Sequence, residues 1–143
     1  MDMGLKGKTA VITASSLGLG KAMAQGLAQE GANVTICARR NSQLETAKNE
    51  IEKVGGQVLS IKADMNSKDD IEKVISETAS RFGKLDILIN NAGDAEVGRK
   101  IEDEDEVWQA TYNINVWSCV RAIRAAVPHM RKNGGGNIIN VAS

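Results

Sequence analysis

Several residue types that would signal a special kind of fold or site are scarce in this sequence. It contains two cysteines, one histidine and one proline, and aromatic side chains make up 3% of its 143 residues. Two cysteines at unrelated positions and a single histidine disfavour a disulfide framework and a metal centre. The same cysteine usage suits a reducing compartment, so we expect a cytoplasmic protein.

An excess of charge of either sign is also lacking. Lysine plus arginine and aspartate plus glutamate number 18 each, which gives a net charge of zero. Nucleic acids and anionic membrane surfaces are recognised through concentrated basic patches, so both are disfavoured as partners. No apolar run in the sequence approaches the length of a membrane span.

What the sequence does contain is a regular alternation of short apolar runs with helical patterns. Five runs read as strands, at residues 9–13, 33–38, 57–62, 85–90 and 137–142. Four helical patterns lie between them, at residues 18–30, 42–54, 67–82 and 104–132. The strands are apolar through most of their length, which indicates a parallel sheet covered by helices on both faces. We predict an α/β fold with a doubly wound parallel sheet, as one domain over residues 1–143.

Local signals predict where some of these helices begin and how the last one packs. Ser42 with Glu45 reads as a capping box, and Ser67 with Asp70 is a weaker version of the same motif. Pro128 is expected to loosen or kink the fourth helix near its end. That helix places a set of apolar side chains on one face: Val116, Cys119, Val120, Ile123 and Val127.

The first strand runs directly into a turn of small residues and then into a helix. This arrangement lets backbone N–H groups approach a pyrophosphate, and the helix N-terminus favours an anion. Ala14 stands where such turns usually have glycine, and its methyl group is expected to be tolerated if its φ is negative. The predicted cofactor-binding residues of this segment are Thr13, Ser15, Ser16, Gly18, Leu19 and Gly20. The alternative is that the serines only cap the helix, which is compatible with binding.

The end of the second strand bears on the choice of cofactor. Dinucleotide folds selective for NAD usually place an acidic residue there, to hold the ribose hydroxyls. Here Ala38 occupies that place, and Arg39 and Arg40 follow it. A guanidinium can hold a 2′-phosphate through charge-assisted hydrogen bonds. We therefore predict NADP rather than NAD, with Arg39 as the main contact and Arg40 as a secondary one; the alternative is that both are solvated loop charges.

These motifs together closely resemble the short-chain dehydrogenase/reductase family. Residues 13–20, Thr-Ala-Ser-Ser-Leu-Gly-Leu-Gly, are similar to its Thr-Gly-x-x-x-Gly-x-Gly turn, and residues 90–93 read Asn-Asn-Ala-Gly, as in the family. Trp108 followed seven residues later by Asn115 is similar to its long-helix pattern. Residues 136–143 resemble the strand that delivers its catalytic serine. The resemblance implies a Rossmann-type dinucleotide-binding domain with the first five strands of its sheet.

The resemblance also implies roles for particular residues. Asp64 would lie near the adenine ring with the backbone N–H of Met65, although Asp64 could equally cap the following turn. Asn91, Ala92 and Gly93 would border the cofactor, while Asn90 more simply ties adjacent strands together. These assignments complete the predicted cofactor site.

Two further residues would take part in catalysis. Ser143 would bind the substrate oxygen, unless it is an ordinary residue at a strand end. Asn115 would organise a proton-relay water, with Asn113 as a competing candidate and a satisfied core amide as the alternative.

The family's acid–base pair, a Tyr followed four residues later by a Lys, has no counterpart here. The only tyrosine, Tyr112, precedes the serine strand and is followed four residues later by Val116. We expect the chain to be the amino-terminal portion of a longer enzyme, inactive by itself.

The predicted function is NADP(H)-dependent hydride transfer to or from a ketone or secondary alcohol. The alternative is a non-catalytic dinucleotide-binding module. The resemblance also implies a homo-oligomer, commonly a tetramer, formed through the long helix that carries Trp117.

Overall fold

A five-stranded parallel sheet organises the molecule. The computed structural model describes residues 1–94 and 100–142. The strands are β1 (Thr9–Ile12), β2 (Asn33–Ala38), β3 (Val58–Lys62), β4 (Ile87–Asn90) and β5 (Asn137–Asn140). Their order across the sheet is β3-β2-β1-β4-β5, and every neighbouring pair is parallel. The chain moves outward from β1 to β3 and then returns to the other side of β1, which makes the boundary between β1 and β4 the topological switch point.

Helices cover both faces of this sheet. They are α1 (Gly18–Gln29), α2 (Asn41–Glu52), α3 (Lys68–Phe82), α4 (Asp105–Tyr112) and α5 (Ser118–Lys132), and a π-helical segment, Asn113–Trp117, joins the last two. Within the described residues, no helix is both long and apolar enough to cross a bilayer. The predicted α/β class and doubly wound arrangement are confirmed.

Alternation along the central strands sends side chains to two separate cores. Ala10 and Ile12 of β1 pack with α1 and α2, whereas Val11 between them packs with α3 and α5. All three are fully buried. This pattern explains why β1 reads as a continuous apolar run rather than as an alternating one. The edge strand β5 differs, because all four of its residues are exposed.

One of the two predicted helix caps is present. The Ser67 hydroxyl accepts a hydrogen bond from the backbone N–H of Asp70 (3.2 Å), which confirms the cap of α3. The prediction of a capping box at Ser42 and Glu45 is wrong, because α2 begins at Asn41 and places Ser42 inside the first turn. The Glu45 carboxylate instead accepts a hydrogen bond from the Ser60 hydroxyl of β3 (2.9 Å).

The fourth predicted helix also differs from expectation. It is interrupted at the π segment, while α5 is continuous through the exposed Pro128 to Lys132. The face of α5 that is buried carries mainly small side chains rather than the predicted apolar set: Ser118, Ala122, Ala126 and Met130. Of the predicted set, Ile123 also packs against this core as a partly buried residue. Val116, predicted on the packed face, is 45% exposed.

Candidate active site and cofactor cavity

A cavity of about 450 Å³ lies at the carboxyl ends of the central strands. Its walls come from the turn after β1 (Ala14, Ser16, Leu17), the end of β2 and start of α2 (37–40, Gln43), the loop after β3 (63–66), the loop after β4 (92–94), and Ala110 and Ile114. This is the position at which open α/β sheets bind ligands, and the volume is typical of a small-molecule site. The structure brings seven of the predicted residues to this cavity: Ser16, Arg39, Arg40, Asp64, Met65, Ala92 and Gly93.

Thr13 and Asn91 join the two loops at the switch point. The buried Thr13 hydroxyl accepts hydrogen bonds from the backbone N–H groups of Asn91 and Ala92, both at 2.9 Å. In return, the Asn91 amide donates to the carbonyls of Thr13 (3.2 Å) and Ala14 (3.1 Å). Neither residue is among those that line the cavity. Their contacts fix the relative position of the two loops that do.

Ser15 has a different place from the one predicted. Its side chain is fully buried, and its hydroxyl donates to the Ile12 carbonyl (2.6 Å) and accepts from the Cys37 backbone N–H (3.1 Å). The one hydroxyl proton is therefore directed at the backbone and not at a ligand. Ser15 ties β1 to β2, whereas its neighbour Ser16 lines the cavity.

Positions 18 and 20 favour glycine for different structural reasons. Gly18 begins α1 with φ of +55°, a region that favours glycine. A Cβ on Gly20 would lie 2.5 Å from the Ala14 carbonyl oxygen and 2.6 Å from the Asn91 amide nitrogen. Helix α1 can therefore approach the turn only with glycine at position 20.

Leu17, which precedes the helix, provides no side-chain cap, so first-turn N–H groups of α1 remain available to an anion. Leu19 is 59% exposed and lies outside the cavity lining.

The backbone φ of Ala14 is positive, not negative as its expected tolerance at this turn required. Its φ is +51°, the left-handed region, and it is the only non-glycine with positive φ among the described residues. The turn keeps the backbone shape that glycine would adopt, because the Ala14 carbonyl accepts from Asn91 while Gly20 packs against it. The alanine methyl group is thus carried on a strained backbone at the cavity wall.

The two arginines stand at the rim of the cavity formed by β2 and α2. Both are exposed, and neither side chain has a hydrogen bond or an ion pair with any residue in the described part of the chain. Ala38, just before them, presents no carboxylate.

Beneath the rim, burial raises the pKa of the Cys37 thiol to about 11, and the Ala14 backbone N–H partly offsets this. The thiol is therefore neutral near pH 7, and the arginines supply the positive charge here.

The loop after β3 places Asp64 in a turn and also at the cavity wall. The Asp64 carboxylate accepts hydrogen bonds from the backbone N–H (2.9 Å) and side-chain amide (3.2 Å) of Asn66, as in an Asx turn. Its own N–H donates to the Asp70 carboxylate (2.8 Å). Asp64 nonetheless lines the cavity, together with the buried Met65. Asn66 was missed as a lining residue, although an Asn two positions after an Asp is a recognisable turn signal.

Asn115 lies on the π segment and contacts the loop after β4. Its amide donates to the carbonyls of Asp94 (3.1 Å) and Thr111 (3.0 Å), and its side-chain oxygen accepts from the Asp94 N–H (3.2 Å). A Cβ on Gly93 would lie 2.8 Å from that oxygen, so glycine is required there for the contact. The amide of Asn115 has hydrogen-bond partners, as expected for a satisfied core amide, but the residue is exposed rather than in the core.

Strand β5 leads toward Ser143, which lies outside the described residues. The predicted role of Asn90 in joining strands is confirmed, because its amide donates to the Asn140 side-chain oxygen (2.9 Å). The Asn90 carbonyl also accepts from the Val141 N–H (2.9 Å). The carboxyl end of β5 is thereby held beside β4 at the same edge of the sheet as the cavity.

Known proteins of similar sequence and structure are oxidoreductases. D-beta-hydroxybutyrate dehydrogenase of Rhizobium meliloti (strain 1021) is 41% identical over 139 residues, covering 95% of this chain and 54% of that protein. L-sorbose reductase from Gluconobacter frateurii, solved in complex with NADPH and L-sorbose, is 43% identical with a TM-score of 0.95, covering 100% of this chain and 55% of the other. A 7α-hydroxysteroid dehydrogenase complexed with NADH and 7-oxo glycochenodeoxycholic acid is 32% identical with a TM-score of 0.93, covering 97% and 54%. The chain spans about half the length of the curated relatives that it matches.

A family model accounts for nearly the whole sequence. The model described as short chain dehydrogenase matches residues 8–143. The match includes the turn after β1, the Asn-Asn-Ala-Gly segment after β4 and the π segment with Asn115. The chain therefore belongs to the short-chain dehydrogenase family.

Proposed function

We propose that this chain forms the cofactor-binding part of an NADP(H)-dependent oxidoreductase that acts on a ketone or a secondary alcohol. The residues present fit a dinucleotide. The cavity lies at the switch point of the sheet, Gly20 allows a close approach of α1 to the turn, and the start of α1 has no side-chain cap. When bound, the nicotinamide supplies or accepts the hydride.

The observation that carries the preference for NADP is the pair of exposed arginines at the cavity rim, whose side chains form no ion pair or hydrogen bond with the described residues. Among relatives, the L-sorbose reductase structure contains NADPH and the hydroxysteroid dehydrogenase structure contains NADH, so family membership does not decide between the two. Arg39 and Arg40 line the cavity where a carboxylate would repel a 2′-phosphate. Arg39 serves as the main contact, and Arg40 as the second.

Other residues at or near the cavity bind the pyrophosphate and the adenine or support the residues that do. Ser16 and the first N–H groups of α1 hold the pyrophosphate, with Gly18, Leu19 and Gly20 forming that helix start. Asp64 and the backbone of Met65 face the adenine. Ala92 and Gly93 leave space for the cofactor at the loop after β4. Thr13, Ser15 and Asn91 keep these walls in register through the hydrogen bonds described above.

Asn115 and Ser143 take the roles that the family resemblance gives them. Ser143 binds the substrate oxygen. Both amide protons of Asn115 are already used on Asp94 and Thr111, so a relay water has to bond to an oxygen of Asn115 rather than to its N–H. Reduction of a carbonyl needs a poised proton donor, and the family's Tyr–Lys pair, which would provide it, has no counterpart in residues 1–143.

We also propose that the protein is a homo-oligomer and works in the cytoplasm. The helical region from α4 to α5 exposes Tyr112 (57%), Val116 (45%) and Trp117 (48%), apolar area that a second copy can cover. The two cysteines are both free thiols, as a reducing compartment would keep them.

Titration of the full-length protein with NADPH and with NADH tests the cofactor assignment. A charge-assisted bond to the 2′-phosphate is expected to favour NADPH roughly tenfold to a hundredfold, from about 1.5–3 kcal/mol. Arg39→Asp is expected to remove or reverse that preference. Arg124→Asp, at an exposed position on α5 outside the cavity, is the control. If Arg39→Asp left both affinities unchanged, the assignment would be wrong.

A further inference from the structure

The π segment contacts two walls of the cofactor cavity through two asparagines. Asn115 bonds to the backbone of Asp94 in the loop after β4. Asn113, two residues earlier, bonds to Asn66 in the loop after β3. Asp94 and Asn66 both line the cavity, whereas Asn113 does not. The side chain of Asn113 therefore reaches the cavity wall after β3 through Asn66.

Every polar group of the Asn113 side chain has a defined use. The amide nitrogen donates to the main-chain oxygen (3.2 Å) and the side-chain oxygen (3.0 Å) of Asn66. The amide oxygen accepts from the Arg121 guanidinium of α5 (2.8 Å). Arg121 thereby fixes which way the amide points, because a flipped amide would set an N–H against the guanidinium.

The contact continues from Asn66 into the cavity wall. Asn66 donates its backbone N–H (2.9 Å) and its side-chain amide (3.2 Å) to the Asp64 carboxylate, which lines the cavity. The hydrogen bonds therefore form one continuous series, from Arg121 through Asn113 and Asn66 to Asp64. The Asp64 N–H already attaches the turn to Asp70 of α3, and this series adds a second attachment, to the π segment and α5.

We propose that Asn113 is a positioning residue for the adenosine end of the cofactor cavity. It holds the loop after β3 in the shape that places Asp64 and Met65 against the ligand, with Arg121 orienting the amide. The proposal rests on the proposed function, since it takes the ligand to be a nicotinamide dinucleotide with its adenosine at this wall. Asn113 competes with Asn115 in the sequence for one role, and the structure gives each a different loop.

Two substitutions separate this role from a general contribution to folding. Asn113→Ala removes both the donor and the acceptor. Asn113→Asp is isosteric and keeps the acceptor for Arg121, but it has no N–H to give to Asn66. A role confined to the packing of α4 and α5 would be preserved in Asn113→Asp, whereas positioning of the Asn66 turn would be lost in both variants.

The matched control is Asn133→Ala, at the end of α5. The Asn133 amide also donates to a backbone carbonyl of another element, that of Leu85 (3.3 Å), but it lies outside the cavity lining. The control therefore also loses a hydrogen bond between two elements. Only the test variants disturb a cavity wall.

The experiment uses the full-length protein and measures two quantities. The first is the dissociation constant of adenosine 2′,5′-bisphosphate, expected to rise about threefold to tenfold in both Asn113 variants, as loss of ordinary hydrogen bonds would cause, and to stay unchanged in Asn133→Ala. The second is amide hydrogen exchange in the ligand-free protein, expected to speed up over residues 63–70 in the Asn113 variants alone.

The two hypotheses fail in different ways. Wild-type protein that binds neither adenosine 2′,5′-bisphosphate nor NADPH would count against the proposed function, while the exchange data would still report on the turn. Wild-type protein that binds, with Asn113→Asp equal to it in both affinity and exchange, would overturn the positioning role and leave the proposed function standing. If Asn113→Ala does not fold, Asn113→Asp carries the comparison.

Discussion

Ala14 places a side chain on a backbone that glycine would adopt more easily. Its φ of +51° carries a steric cost for an L-residue, and the hydrogen bond from Asn91 holds it there. We expect Ala14→Gly to raise the free energy of unfolding by about 0.5–1 kcal/mol, the relief of strain less the greater freedom of glycine in the unfolded chain. Urea denaturation measures this.

Ala24→Gly is the matched control for that substitution. Ala24 is fully buried within α1, where glycine is expected to destabilise the protein by about 1 kcal/mol. Opposite signs for the two substitutions would follow from their different φ values. Destabilisation by Ala14→Gly as large as that by Ala24→Gly would show that the turn gains nothing from a more permissive backbone.

Cys37 is expected to make stability fall at alkaline pH. Burial raises its folded-state pKa to about 11 from an ordinary value of 9.0. Below pH 9 both states are protonated and the stability is fully present. Between pH 9 and 11 the unfolded thiol ionises while the folded one does not, so stability is lost as pH rises through this window.

A comparison of variants isolates the contribution of this thiol. Denaturant unfolding of Cys37→Ala at pH 8, 9, 10 and 11 is expected to show a shallower alkaline loss than wild type. Identical slopes in the two proteins would mean that the Cys37 thiol does not contribute.

At the level of single elements, the sequence predicts the existence of helices better than their exact starts. Ser67 caps α3, and its substitution by alanine is expected to cost about 1 kcal/mol of unfolding free energy. Ser42 has the stronger capping pattern of the two, yet it lies inside α2 and provides no cap. Ser42→Ala is therefore expected to change stability by less than about 0.5 kcal/mol. Thermal and urea unfolding of the two variants compare them directly, and equal losses would contradict the assigned helix starts.

The difference between the two serines has a physical cause that local sequence does not contain. A hydroxyl caps whichever helix start the surrounding packing permits, and Glu45 bonds to Ser60 of β3 instead of completing a box. The long fourth helix shows the same limit. Its larger apolar residues predicted one face, but the small Ala122 and Ala126 are the ones that are buried, in a core shared with α3 and the sheet.

For the whole molecule, strand count, parallel topology and the region of the cavity follow from the sequence. Strand ends with unusual residues converge because parallel strands share one carboxyl edge, and this predicted Arg39, Asp64 and Gly93 together at the cavity. The hydrogen-bond partners of Ser15 and Asn113 do not follow. They depend on which groups lie opposite these side chains in space, which requires the packed structure.

The arrangement of the sheet also leaves an apolar edge. In β5, Ile138 is 36% and Ile139 50% exposed, and Val141 just beyond it is 38% exposed. Unpaired edge strands with apolar side chains promote association between chains. A polypeptide of residues 1–143 is therefore expected to associate as its concentration rises, as measured by light scattering. Ile139→Lys is expected to reduce that association without changing the circular dichroism spectrum.

Ile89 provides the control, because it pairs with Ile139 in register across β4 and β5 and is only 4% exposed. A lysine at position 89 would have to bury its charge between sheet and helices, so Ile89→Lys is expected to abolish folding. The same substitution on adjacent strands thus separates an edge that faces solvent from a strand inside the sheet. Scattering that is unchanged by Ile139→Lys would show that association uses another surface, such as the one carrying Trp117.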